Sequence, residues 1–216
     1  MGAAVVNAFL GDGIRVFAVD LKKAPFPDSL VCDISNPAEV ERIARHVGEA
    51  DIVVNNAGIL SNNKIEASSP EEWRRVMAVN LDGAFYMARA FVPGMKKRRW
   101  GRIVNTCSLA AKSGGLTAGT AYTASKGAMT SLTFSLAREL APFGITANGI
   151  SPAYVKTPMV TEQLTETQRQ ALLAQIPVGR FCEPEEFAHV VRFLVSPLSG
   201  FITGEIVDLN GGLHMD

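Results

Sequence analysis

The chain has 216 residues, 47% of them hydrophobic and 19% charged, with a formal net charge of zero. That length accommodates one domain with a substantial core, and the charge balance excludes a general attraction to nucleic acid or to an anionic membrane. No apolar run approaches the ~20 residues that cross a bilayer, and Met1-Gly-Ala-Ala lacks the basic start of a secretion signal, so a cytoplasmic protein is expected.

In chain order, Ala3 to Leu10 reads as a short helix and Ile14 to Val19 as an apolar strand closed by Asp20. A further short strand precedes Asp33-Ile34. Pro37 to Val47 is a helix, with Ser35 or Asn36 as its cap. Asp51 to Val54 is a strand running into Asn55-Asn-Ala-Gly58. Pro70 to about Lys97 reads as one long helix, with Ser69 as cap and Glu72 placed for a capping box. Its basic end, Lys96-Lys-Arg-Arg99, complements the helix dipole. Gly101 to Ser108 is a buried strand ending in small polar residues, followed by the Ser113-Gly-Gly loop and a helix through Tyr122 to Leu140. The strand Ile145 to Ile150, a polar segment to about Gln175, a helix from Pro184 to Val195 and a strand from Glu205 to Leu209 complete the chain. Strands separated by helices of this length give an α/β fold with a parallel sheet and right-handed crossovers.

One constellation reads as chemistry. Tyr122 and Lys126 are four residues apart and share a helix face, with Ser108 upstream and Asn80 further back. A phenol titrates near 10. Lowering that by roughly three units takes about 4 kcal/mol, which a positive charge ~4 Å away supplies at an effective dielectric of ~20. Such a phenol could exchange a proton with an alcohol or ketone while hydride moves, with Ser108 holding the substrate oxygen. Tyr-x-x-x-Lys alone is more often a surface helix. Here it follows a buried strand whose carboxyl end is where open parallel sheets bind ligands. The three cysteines, Cys32, Cys107 and Cys182, are widely spaced and suit reduced thiols, Cys107 as a small buried strand residue. The histidines, His46, His189 and His214, are scattered, and no metal site is expected.

These residues resemble the short-chain dehydrogenase/reductases of the single-domain type, from Gly2 to Gly212. The matching motifs are Asn55-Asn-Ala-Gly58, Met77-Ala-Val-Asn80, Ser108, Tyr122-Thr-Ala-Ser-Lys126, Ser151-Pro152 with Thr157-Pro-Met159, and Val207-Asp-Leu-Asn-Gly-Gly212. Each is weak alone, and their common order is the specific signal. The resemblance implies a Rossmann-type, doubly wound parallel sheet in three layers, a single domain over residues 1–216, and hydride transfer between a secondary alcohol or ketone and NAD(P). It implies Asn80, Ser108, Tyr122 and Lys126 as catalytic residues, with Asn80 holding a water that links Lys126 to solvent. Gly2, Asn55, Ala57, Gly58, Tyr122, Lys126, Pro152, Val155 and Thr157 would contact the cofactor, and Asp33 and Ile34 its adenine, although Asp33 could equally be a turn residue. Ala153 stands where the family usually has glycine. Asp20 ends its strand where a carboxylate accepts from the ribose diol of NAD, while Lys22 and Lys23 keep NADP possible. Family members are commonly homotetramers joined through the helices equivalent to Pro70 to Lys97 and Thr123 to Leu140, so a homo-oligomer, tetramer or dimer, is expected. The small residues Ala84, Ala88, Ala128 and Ser131 suit close packing there, or equally inside the subunit.

The front of the chain departs from the pattern. The family begins with a strand and a Gly-x-x-x-Gly-x-Gly turn that hold the pyrophosphate, and Gly2 aligns with the last of those glycines. The first, central strand is expected to be missing, forfeiting on the order of 10 kcal/mol of apolar burial. A start codon assigned too late, a natural truncation, or a sheet rearranged or completed by a partner subunit would each explain this. Weak cofactor binding and low turnover are expected of this polypeptide. The alternative function is a cofactor-deficient, non-catalytic binding or subunit-interaction protein. Residues 153–177 are expected to form a substrate lid, with Met159, Val160, Leu164, Leu172 and Leu173 offering apolar contact to an acyl chain, a steroid, an alicyclic alcohol or a partly masked sugar.

Overall fold

The computed structural model describes residues 1–157 and 165–215, in which short apolar runs form strands and longer amphipathic runs form helices. Helix α1 (Gly2–Gly11) leads into β1 (Phe17–Asp20), β2 (Asp28–Val31), α2 (Pro37–Val47) and β3 (Ile52–Asn55). Then come α3 (Pro70–Met77), α4 (Gly83–Arg98), β4 (Gly101–Thr106), α5 (Ala110–Ser113) and α6 (Thr120–Leu140). The chain continues through β5 (Ile145–Pro152), α7 (Glu166–Leu173), α8 (Pro184–Val195) and β6 (Ile206–Leu209). Pro158, Met159, Val160 and Leu164 lie outside the described residues.

Local signals set several of these boundaries. Asn36, not Ser35, caps α2, its side chain accepting from Ala38 N, and Pro37 fills the first helical position, where no N–H is needed. Ser69 caps α3 through Glu72 N at 3.1 Å. Strands β4 and β5 are buried at every residue, as strands covered on both faces must be.

All strand pairings are parallel, and the sheet is divided. Strands β3, β4, β5 and β6 form one four-stranded sheet in that order, while β1 pairs only with β2. On one face, Val5 and Phe9 of α1 and Phe187, Val191 and Leu194 of α8 pack against Val104 and Ile150. On the other, Ala88, Phe91 and Met95 of α4 and Ala137 and Leu140 of α6 cover Val53, Ile103, Ile145 and Ala147. The expected three layers are therefore present, and so is the expected central gap. A cavity of about 900 Å³ separates β1 from β3, lined from both strands and from α1.

Two expectations change. The segment from Pro70 is not one helix, because a π-helical turn over Ala78–Asp82 separates α3 from α4. Its buried Asn80 side chain bonds outside the helix, which offsets the irregular backbone. The first strand begins at Phe17 rather than Ile14, since without a partner on the cavity side no ladder holds residues 14–16. Within the segment expected to form a lid, the described residues include α7, with Leu172 buried and Leu173 half exposed. Ala84 and Ala88 are buried inside the subunit, whereas Phe85 and Phe134 remain exposed at 46% and 49%.

Candidate active site

The carboxyl ends of β3, β4 and β5 lie side by side, Asn55 opposite Asn105 and Thr106 opposite Ile150. Beyond β4 the pairing continues, with Cys107 N donating to Ile150 O at 2.8 Å and Leu109 N to Pro152 O at 3.0 Å. This fixes Ser108, which is 9% exposed, at the mouth of the sheet. Helix α6 turns Ala121, Ser125, Lys126, Met129 and Thr133 inward, at the spacing of one helical face. The face carries Tyr122 and Lys126 towards Ser108.

Lys126 is 3% exposed, and its ammonium donates to Thr106 O at 2.7 Å. Burial lowers its pKa to about 8, with the neighbouring Cys107 opposing. Burial also pushes the Tyr122 phenol above its ordinary value, opposed by a hydrogen bond with Ser108. The expected lowering of Tyr122 by Lys126 is thus corrected. The ammonium stands 5.7 Å from the centre of the Tyr122 ring and is bound to a carbonyl, so desolvation of the phenol prevails. At neutral pH this arrangement keeps the phenol protonated, which suits a proton donor.

Asn80 is fully buried. Its Oδ1 accepts from Ile59 N at 2.8 Å, and its Nδ2 donates to Ile59 O and Ser125 Oγ, each at 3.0 Å. The π turn brings it to Lys126: a Cβ on Gly58 would lie 3.2 Å from Asn80 Oδ1 and 3.6 Å from Lys126 Nζ. Asn80, Ser108, Tyr122 and Lys126 therefore converge as the sequence predicts. Gly58→Ala should reduce turnover about tenfold by displacing the ammonium or the amide, with a urea midpoint close to that of the parent. Equal turnover by steady-state assay would show that this close packing is not needed.

The predicted cofactor residues divide. Gly2, Asp20, Ile34, Asn55 and Ala57 line the cavity between β1 and β3, and Gly58, Tyr122 and Lys126 stand beyond its end at Ala57. Asp33 serves the turn: its Oδ1 accepts from Ser35 N at 2.9 Å and Ser35 Oγ at 2.6 Å. The amide of Asn55 is held by Asn105 at 2.8 Å. Pro152 ends β5 opposite Leu209, and Val155 bridges to Cys182. The Thr157 hydroxyl donates to Val155 O at 3.3 Å. Lys156 and Glu183, 3.0 Å apart, tie the stretch after β5 to the start of α8.

Sequence reasoning missed the loop at residues 60–68. The Glu72 carboxylate, expected to close a capping box, instead chiefly accepts from Ser61 Oγ and from Asn63 Nδ2, the latter at 2.7 Å, with the Ser69 backbone a lesser partner. Lys64 Nζ donates to Gly115 O at 2.8 Å and Ala118 O at 2.7 Å, and Gly119 N donates to Ser61 O at 2.6 Å. The loop thereby holds the glycine-rich segment that leads into the Tyr122 helix. Only the density of Asn, Ser and Lys after Gly58 hinted at it.

The rim of the cavity at the strand ends, rather than its apolar interior, offers polar groups to a dinucleotide. Asn56 Oδ1 is buried without a partner among the described residues, and a Cβ on Gly2 would lie 2.8 Å from Asn56 Nδ2. A small residue at the α1 N-terminus thus leaves space beside an unsatisfied polar group, with Asp20 at the far rim.

A family model described as "Enoyl-(Acyl carrier protein) reductase" matches residues 1–214. The chain is 40% identical over 222 residues to the 3-oxoacyl-acyl-carrier-protein reductase FabG of Pseudomonas aeruginosa, covering 100% of this chain and 89% of that protein. It is 37% identical over 219 residues to the enzyme of the same name from Vibrio cholerae, covering 99% and 83%. The crystal structure of 3-oxoacyl-acyl-carrier-protein reductase from Brucella melitensis superposes with a TM-score of 0.93 at 34% identity, covering 100% of this chain and 87% of that one.

Proposed function

The chain belongs to the short-chain dehydrogenase/reductase family of oxidoreductases acting on CH–OH and keto groups, and from that premise we propose that it reduces a 3-oxoacyl thioester to its 3-hydroxy form. The observation that carries the reading is the convergence of buried Lys126 and Asn80 on Tyr122 and Ser108 at the strand ends. The acyl chain comes from the names of the relatives and agrees with the apolar residues Met159, Val160, Leu164, Leu172 and Leu173 within the segment 153–177, which we assign as the lid of a single domain.

A nicotinamide cofactor, when bound, supplies the hydride. Gly2, Ala57 and Gly58 would hold its central part, Asp20 its ribose and Ile34 its adenine. The Ser108 hydroxyl holds the ketone oxygen, and the Tyr122 hydroxyl gives its proton to that oxygen as carbon is reduced. Lys126 stabilises the phenolate that remains and then returns a proton to it, and Asn80 would hold the water through which Lys126 regains its own. Pro152, Val155 and Thr157 close the site beside the lid.

Asp20 is exposed at the end of β1 and favours NAD, while Lys22 and Lys23 offer charge to the 2′-phosphate of NADP. Replacing the carboxylate, Asp20→Ser, should raise the ratio of NADPH to NADH affinity about tenfold, ~1.4 kcal/mol. Fluorescence titration of both cofactors reads it, and an unchanged ratio would remove Asp20 from the ribose site. The cytoplasm as compartment and a homotetramer or homodimer as assembly belong to the same proposal. Among the described residues no helix is long and apolar enough to cross a membrane.

The reading is tested by following absorbance at 340 nm with acetoacetyl-CoA and each reduced cofactor. Oxidation that depends on the thioester supports it. Cofactor binding without oxidation would redirect the substrate assignment, and absence of binding to both cofactors would favour the non-catalytic alternative.

A further inference from the structure

We infer that Lys64 is a positioning residue for the proposed reduction: its ammonium clasps the tip of the segment joining Ser108 to Tyr122 and holds one wall of the substrate site in its binding shape before substrate arrives. The inference rests on the reduction proposed above. Lys64 Nζ donates to Gly115 O at 2.8 Å and to Ala118 O at 2.7 Å, across 51 and 54 positions of sequence. Both are charge-assisted bonds, roughly twice as strong as neutral ones. Among the described residues no backbone N–H from Gly115 to Ala118 donates a hydrogen bond, so these two bonds are the polar ties of the tip.

The clasped segment needs such a tie. It includes Gly114, Gly115 and Gly119, the first two at φ of +76° and +73°, so side chains do little to stiffen its backbone. It runs from one reacting group to the other, because Ser108 precedes it, Tyr122 follows it, and their hydroxyls are hydrogen-bonded. A Cβ on Gly115 would collide with Thr123 Oγ1, so the tip lies against α6 one residue from Tyr122. Leu116, between the two accepting carbonyls, stays 65% exposed and is the apolar group this wall offers to an acyl substrate.

The clasp is itself supported from α3, whose Glu72 holds Ser61 and Asn63. Gly119 N and Thr120 N donate in turn to Ser61 O and Asn63 O, at 2.6 and 3.1 Å. These backbone ties stand at the foot of α6 and do not involve the ammonium. Removing the ammonium therefore frees residues 115–118 and leaves the Tyr122 helix in place. A wall already held in its bound shape lowers the ordering cost that substrate binding otherwise bears. Loss of the clasp thus falls on KM and not on the chemical step.

Lys64→Met keeps most of the stem and removes the donors, whereas Lys64→Arg keeps donors at the same place. Both variants are assayed with acetoacetyl-CoA at saturating reduced cofactor. Each is also exposed to thermolysin without substrate, and cleavage at the Gly115–Leu116 bond is followed by mass spectrometry. For Lys64→Met the expected result is a KM raised about tenfold, a kcat within about threefold of the parent and cleavage at least about tenfold faster. Lys64→Arg should stay close to the parent in all three. An unchanged KM, a loss confined to kcat, cleavage at the parental rate or an equal loss in Lys64→Arg would overturn the inference. A parent that binds cofactor without oxidising it would count against the proposed reduction, whereas faster cleavage of Lys64→Met would still support the clasp.

Discussion

Tyr122→Phe is expected to lower the proposed ketone reduction by ~10²- to 10⁴-fold while leaving cofactor affinity nearly unchanged. The substitution removes one hydroxyl and keeps the ring that packs beside Lys126. That hydroxyl bonds Ser108, so the loss to stability is about 1 kcal/mol. On the proposed mechanism the loss to the reaction is larger, because the Tyr122 hydroxyl is the group assigned to protonate the ketone oxygen and Lys126 is already bound to Thr106 O. Burial raises the phenol above its ordinary value, so it is protonated at neutral pH, as a proton donor must be. Single-turnover kinetics with a 3-oxoacyl thioester separate the chemical step from binding. A variant with the turnover of the parent would remove Tyr122 from the mechanism.

Lys126→Met has opposing effects on activity and on the pH dependence of stability. The folded protein holds this ammonium at a pKa of about 8, against 10.5 for a free lysine, because burial disfavours the charge. A lysine with a lowered folded pKa binds fewer protons when folded, so its contribution rises with pH between those two values. Below pH 8 the full cost applies, on the order of 3 kcal/mol. Methionine removes that cost but leaves the Thr106 carbonyl without its donor, ~1 to 3 kcal/mol. The two proteins should therefore unfold at similar urea concentrations at pH 7. By pH 9.5 the parent should have gained ~2 kcal/mol relative to the variant. Raised pKa values at Tyr122 and Cys107 act in the other direction, since the unfolded chain ionises those groups first. The Tyr122 contribution is common to both proteins, whereas Cys107 in the variant loses the ammonium that opposes its rise, which adds to the gain of the parent at high pH. Turnover of the variant should fall by about 10²-fold, and reduction by the parent should decline above about pH 8. Parallel stability curves for the two proteins would show that the ammonium carries no such cost.

Both effects originate in a site whose membership was readable in one dimension. The i, i+4 spacing placed Tyr122 and Lys126 on one helix face, the buried run from Gly101 placed Ser108 at a strand end, and the family pattern supplied Asn80. What those groups do to one another was not readable. The direction of the Lys126 ammonium depends on the Thr106 carbonyl, twenty residues away, and the phenol pKa on how much water packing removes. Glu72 had a local partner, the Ser69 backbone, and its carboxylate turned chiefly to Ser61 and Asn63 because the folded loop offers two donors. Asp33 went the other way, keeping the local turn that Ser35 completes.

The sequence by itself determined the alternation of strands and helices, the cap at Ser69 and the parallel sheet, and left Ser35 and Asn36 as alternatives at the start of α2. These follow from periodicity, capping chemistry and order along the chain, which are local or cumulative properties. Only the tertiary structure decided the π turn at Asn80, the ammonium's partner, the loop fastened by Lys64 and the two facing edges of the divided sheet. Each is a competition among hydrogen-bond partners distant in sequence, and packing settles it by deciding which polar groups lose their water.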